Sequence, residues 1–224
     1  MQNSSDKVNF KDLVNDFIQR NRKVIFFITG IITVMFIGTL AFLAITGNME
    51  KKAIEHVEDL NKRFEDLRFL IADAYYNEDI NTLLAELEDF SGKNSGFAGS
   101  KGWSIIANIY ALKEDWSKAE QAFLEAARVG NKTYLAPVSL FNAAAAAEEQ
   151  GNLQQAINLL QQSIAHRFEF PAAPRAQFSI GRLNEQLGNN TEAIEAYRAV
   201  LINYQDIPVW HQLARSRIIA LELN

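Results

Sequence analysis

Hydrophobic and polar positions follow three different rhythms along this chain. From Val24 to Thr46 the run holds 23 residues without Asp, Glu, Lys, Arg or His. As a helix rising ~1.5 Å per residue it would reach ~35 Å, against a bilayer core of ~30 Å, so it predicts a transmembrane helix over 24–46. A secretory signal would carry an apolar stretch of only ~7–15 residues closed by a small-residue cleavage site. This run is longer and no A-x-A closes it, so it reads as an uncleaved anchor. Ahead of it, Phe10, Leu13, Val14, Phe17 and Ile18 fall at helical spacing, opposite Lys11, Asp12, Asp16 and Arg20. That pattern predicts a short amphipathic helix within the tail 1–23, resting on the inner membrane surface or docking a cytosolic partner.

Beyond the anchor the rhythm changes to steps of four and three. Ala53, Val57, Leu60, Phe64, Leu67, Ile71 and Ala74 form an a/d seam on a long helix from about Met49 to Tyr76. Two readings are open: a parallel coiled-coil homodimer, or a degenerate helix pair made with the helix Ile80–Phe90. Phe69, Leu70 and Tyr75 add apolar bulk off the seam, which favours the pair. The segment Phe90–Lys101, with Gly92, Gly96, Gly99 and Gly102 around it, is expected to be a flexible break.

The third rhythm is a repeat. Glu114-Asp115-Trp116-Ser117-Lys118-Ala119, Gly151-Asn152-Leu153-Gln154-Gln155-Ala156 and Gly188-Asn189-Asn190-Thr191-Glu192-Ala193 align as a turn, an Asx helix cap and a small Ala in the next helix. The Ala-to-Ala interval is 37 residues both times. Two helices per period of this length predict an α-solenoid. Pro137, Pro171, Pro174 and Pro208 all fall between helix pairs, where a missing N–H is tolerated.

These segments resemble the tetratricopeptide repeat. Trp103, Ile106, Ala107, Tyr110, Ala119, Phe123 and Ala126 take that motif's packing positions in a first repeat from Ser100. Leu140, Ala143, Ala144, Ala156 and Leu160 do so in a second from Pro137, and Ile180, Gly181, Ala193 and Tyr197 in a third from Pro174. Trp210, Leu213 and Ala214 restate the opening as a capping helix. The expected fold is therefore all-α, a transmembrane helix followed by a tetratricopeptide-repeat solenoid. Its parts are a tail 1–23, a span 24–46, a juxtamembrane helix and degenerate pair 47–94, and three repeats plus a cap 95–224. The extra residues beyond the common repeat length are placed in loops around 130–135 and 167–172.

Charge narrows the partners. The net charge is −5, and the tail is +2, which leaves the rest at −7, a poor match for nucleic acid or anionic lipid. Arg20, Arg22 and Lys23 outweigh Lys51 and Lys52 across the span and favour a cytoplasmic N-terminus. There is no cysteine, and His56, His166 and His211 have no metal-ligand spacing. No phosphate loop or nucleophile elbow is present. Asn131-Lys132-Thr133 and Asn189-Asn190-Thr191 would be glycosylation acceptors in a eukaryotic secretory setting. The chain reads as a binding protein, not an enzyme, and no cofactor or metal is expected.

The repeat resemblance implies a concave face lined by the second, fifth, ninth and twelfth positions of each first helix. Here these are Lys101, Ser104 and Asn108, then Val138, Phe141 and Ala145, then Arg175, Phe178, Arg182 and Glu185, with His211 and Arg215 on the cap. That wall suggests cations with two aromatics, suited to an extended peptide bearing acidic or C-terminal carboxylate groups. Asn108, Asn142 and Arg175 also match three positions of the carboxylate clamp found in some such domains. The clamp's other two bases fall on Ser104 and Ser179, so it would be incomplete.

The layout as a whole, from Asp16-Phe17-Ile18-Gln19-Arg20-Asn21-Arg22-Lys23 through the anchor to the repeats, resembles the bacterial inner-membrane ancillary subunits of the Sec translocon, the YfgM type. The resemblance implies a single-pass inner-membrane protein with a periplasmic domain. It would sit beside the Sec translocon and hand emerging chains to periplasmic chaperones. The alternatives are a structural scaffold of another envelope complex (secretion, division or motility machinery) and a eukaryotic organelle-membrane repeat protein.

Overall fold

The computed structural model describes residues 10–70, 77–166 and 168–223. Expectations that rest on the first nine residues, on Ile71, Ala72, Ala74 and Tyr75, or on Arg167 lie outside the described residues. Helix α1 runs Phe10–Leu67 and is followed by a 3-10 turn, Arg68–Leu70. Then come α2 (Asn77–Lys93), α3 (Gly96–Leu112), α4 (Trp116–Val129), α5 (Leu135–Glu149), α6 (Leu153–Ile164), α7 (Ala173–Gln186), α8 (Asn190–Asn203) and α9 (Pro208–Glu222).

Two units are compact in themselves, residues 1–51 and residues 52–224. In the first, α1 carries the apolar run, and it is long and apolar enough to cross a membrane. The hydroxyls of Thr29, Thr33, Thr39 and Thr46 each donate to the carbonyl four residues back, at 2.8 to 3.0 Å. In hydrocarbon, where water is absent, this satisfies polar groups that would otherwise cost several kcal/mol each.

The second unit is built from helix pairs, α3 with α4, α5 with α6 and α7 with α8, ended by α9. Between the helices of each pair the chain makes one turn three times. Glu114, Gly151 and Gly188 take positive φ of 58°, 77° and 78°. The next amide then donates back around the helix end, Asp115 to Tyr110, Asn152 to Ala147 and Asn189 to Asn184, each at 2.9 Å. This closes the orphan carbonyls of the first helix and reverses the chain. Of the three expected Asx caps, only Asp115 receives its bond, from the Lys118 amide at 3.3 Å. Asn152 and Asn189 make no side-chain cap, and Asn189 instead donates to the Asn184 side chain.

Ala119, Ala156 and Ala193, the three register alanines, are fully buried between their helices. The main core joins all the helices from α1 to α8 and includes Val57, Leu60, Phe64, Leu83 and Leu87. The described part of the juxtamembrane seam, Ala53, Val57, Leu60, Phe64 and Leu67, is therefore packed from within the chain. His56 meets Phe90 edge-on at 5.0 Å, and Arg63 bonds Glu86 at 2.5 Å. A homodimer through Val57, Leu60 and Phe64 would have to displace these contacts.

The flexible break expected at Phe90–Lys101 is not what forms there. Only Asn94 and Ser95 separate α2 from α3, and Gly99, Ser100 and Gly102 are buried inside α3. A Cβ on Gly102 would meet the Ser91 hydroxyl oxygen. Here glycine serves close helix approach instead of flexibility.

Candidate functional site

The first helices form one layer, in which α3 touches α5 and α7 touches α9. Each junction in this layer carries a polar rung. Between α1 and α3, Lys101 bonds Glu58 at 2.5 Å. Between α3 and α5, the Ser104 and Ser139 hydroxyls meet at 3.5 Å. Between α5 and α7, Arg182 grips both oxygens of Glu148 at 2.7 and 2.6 Å. Between α7 and α9, Arg217 binds Glu185, which also accepts from the Tyr197 hydroxyl at 2.5 Å.

Two of the four Lys and Arg residues of the expected cationic wall are thus neutralised by their own neighbours. Lys101 and Arg182 are committed to carboxylates, and hydrogen bonding to Glu148 raises the Arg182 pKa further. Arg175 and Arg215 are exposed and have no ion-pair partner among the described residues. Arg175 lies over the Phe141 ring at 5.4 Å, and Phe141 in turn packs on Phe170 at 5.6 Å. Phe170 is the residue that position counting missed. It belongs to the long α6–α7 connection, yet it is buried and backs Phe141.

Phe141, Ala145, Glu148, Arg175, Ser179 and Arg182 line one small cleft between α5 and α7. Phe178 lies elsewhere, wedged against Tyr197 at 5.0 Å and Trp210 at 5.6 Å, where it joins α7 to α8 and α9. Asn108 lines a separate cleft of about 510 Å³ with Phe64, Arg68, Phe69, Leu112 and Trp116. Asn142 is half-buried on α5, and His211 is half-buried on α9. Asn108 and Arg175, two of the three clamp-like positions, therefore line different clefts. The α5–α7 cleft also holds the Glu148 carboxylate, which is already paired to Arg182.

Around Tyr197 the electrostatics are tightly arranged. Burial, then the adjoining Glu185, pushes its phenol well above the usual tyrosine value. The Arg217 guanidinium first, with the Tyr197 hydroxyl adding to it, holds the Glu185 carboxyl below the usual glutamate range. These groups tie α7, α8 and α9 together.

Residues 141–207 match the tetratricopeptide repeat family model. Over these residues the chain is similar to the tetratricopeptide repeat. A TPR repeat-containing protein of Treponema pallidum (strain Nichols) is 37% identical over 148 residues, which is 64% of this chain. The chain spans 60% of the length of that relative. Crystal structures of nearly identical TPR-like repeats from Podosopora anserina, described as kinesin light chain, align with a TM-score of 0.53. One is a point variant, 16% identical, covering 74% of this chain and 86% of its own; the other is 17% identical, covering 75% and 87%. At that identity the likeness concerns the tetratricopeptide fold alone.

Proposed function

We propose that this chain is a single-pass adaptor of the bacterial inner membrane, with its N-terminus in the cytoplasm and its tetratricopeptide repeats in the periplasm. Its partners are proteins or peptides held on the first-helix layer. On the resemblance set out above, it works beside the Sec translocon and links it to periplasmic chaperones. The observation that carries the adaptor reading is one chain joining a charge-free run within α1, its threonine hydroxyls satisfied internally, to repeats whose exposed layer keeps an unpaired Arg175 on an aromatic base. Phe141, backed by the buried Phe170, supplies apolar surface, and Arg175 supplies one charge for an acidic or carboxylate group.

A second reading, a structural scaffold in another envelope complex, is favoured by the pairing of Lys101 and Arg182, which removes much of the wall's charge from recognition. Photocrosslinking in native membranes separates the two. With a photoreactive residue in place of Phe141, translocon or chaperone partners should be captured, and Arg175→Glu should abolish most of that capture. Capture unaffected by Arg175→Glu would move the function to other faces. An alkaline phosphatase fusion after Asn224 should be active in a bacterial host, and an inactive one would overturn the topology.

A further inference from the structure

On the side formed by the second helices, a cleft of about 520 Å³ opens between α6 and α8 over α7. Its floor is apolar and buried, with Ile157, Ile180 and Ala196. Its walls are amides and carboxylates, with no lysine or arginine among the lining residues. Gln177 donates to the Ala196 carbonyl at 3.2 Å, Gln154 to Asn158 at 3.2 Å, and Asn189 to Asn184 at 3.5 Å. Each amide thereby spends one of its two N–H donors on the protein, and its carbonyl oxygen remains to accept from a ligand. Glu192 and Glu195 of α8 add two exposed carboxylates that have no ion pair among the described residues. The N-terminal end of α8 opposes them with only about half a positive charge, so negative potential dominates the cleft.

We propose that this cleft is a second docking site, which takes an extended basic segment of a partner protein. An acceptor-rich trough with two carboxylates is complementary to arginine, with five donors, or lysine, with three. The buried isoleucines accommodate the aliphatic stems beneath the charged heads. Gln177, Ile180 and Asn184 line it from the face of α7 turned away from Arg175, and it shares no lining residue with the cleft of Phe141 and Arg175. The array would then grip an acidic or apolar partner on one layer and a basic one on the other.

The test uses the full chain in nanodiscs of zwitterionic phosphatidylcholine, so that the lipid does not bind the probe. A fluorescein-labelled peptide of alternating Arg and Ala is titrated by anisotropy, with a Glu-Ala peptide of equal length as control. Binding of the arginine peptide should weaken about tenfold in Glu192→Lys with Glu195→Lys, the size expected when two exposed charge pairs become repulsions. Glu78→Lys with Glu149→Lys, the same charge change at exposed sites elsewhere, should weaken it less than about twofold. Arg175→Glu should leave it unchanged, which separates this site from the first-helix layer. A photoreactive residue at Gln161 should crosslink the bound peptide. Equal weakening by both double substitutions, equal binding of the two peptides, or no crosslink from Gln161 would each overturn the proposal.

Discussion

Gly181 of α7 lies directly against the ring of Tyr197 of α8. A Cβ placed on Gly181 would come within 2.5 Å of Cε1 and 2.7 Å of Cδ1 and Cζ. Tyr197 is fully buried and is anchored by its hydroxyl to Glu185, so the ring has no free path of retreat. Helix propensity alone would favour alanine at position 181 by ~1 kcal/mol, while overpacking costs ~1–3 kcal/mol, so steric conflict prevails. Gly181→Val, which also lacks the propensity gain, should lower the melting temperature of the full chain in detergent by several degrees. Combined with Tyr197→Leu, the penalty of the valine should shrink, a coupling that a double-mutant cycle reads directly. Additive losses would place the two residues out of contact.

The Glu185–Tyr197–Arg217 cluster makes stability depend on pH at both ends. Glu185 is held below its unfolded value of ~4.3, so its contribution is present above that pH and fades as pH falls through the lowered folded value. Tyr197 is raised above its unfolded value of ~10, so its contribution is present below that pH and is lost as pH rises beyond it. Glu185→Gln should melt lower than wild type at pH 7, and the gap should close below about pH 4. Tyr197→Phe should likewise melt lower at pH 7 and converge on wild type above about pH 10. Melting gaps that stay constant across pH would show that the cluster is not coupled to folding.

The register alanines make a direct test of the repeat. Ala119 and Ala156 have no exposed surface, and each sits where two helices of a pair approach. Ala119→Glu or Ala156→Glu would bury an unpaired carboxylate, at a cost of several kcal/mol. Either should lower melting sharply, as read by the loss of helical circular dichroism on heating. Near-wild-type melting of both would contradict the pairing of α3 with α4 and of α5 with α6.

The fold was legible because its determinants are periodic. Ala119, Ala156 and Ala193 recur at one interval, and all three are buried in equivalent places. The candidate site was legible only as a set of positions. Reading Lys101 and Arg182 along one face located them but did not pair them, because their partners lie 43 and 34 residues away. Glu148 precedes Arg182 by 34 residues, and Glu185 precedes Arg217 by 32. An acid at the twelfth position of one first helix, followed by a base at the ninth or eleventh position of the next, is the signal that would have found these rungs. Phe170 had no such signal, since it lies in a connection where neither period applies. The glycines near residue 99 misled for a related reason. Composition reports flexibility and close packing alike, and only the neighbours, the Asn94 backbone at Gly99 and Ser91 at Gly102, distinguish them.

The same pairing separates two arginines that look equivalent in sequence. Arg175 is exposed and rests on Phe141, with no carboxylate partner among the described residues, so Arg175→Glu removes a cation–π contact worth ~0.5–1 kcal/mol at an exposed site and little else. Its melting temperature should stay within a few degrees of wild type while partner capture falls. Arg182→Glu, by contrast, would set a second carboxylate against Glu148 between α5 and α7. Both side chains are about one-third exposed, so water screens the repulsion, and the loss should be ~1–2 kcal/mol. Exchanging the pair, Glu148→Arg with Arg182→Glu, should recover most of that loss, because the rung is rebuilt with its charges reversed. Thermal melts of the single variants and of the exchange decide the matter. An Arg182→Glu protein as stable as wild type would mean that this arginine is as free as Arg175, and that both belong to the binding face.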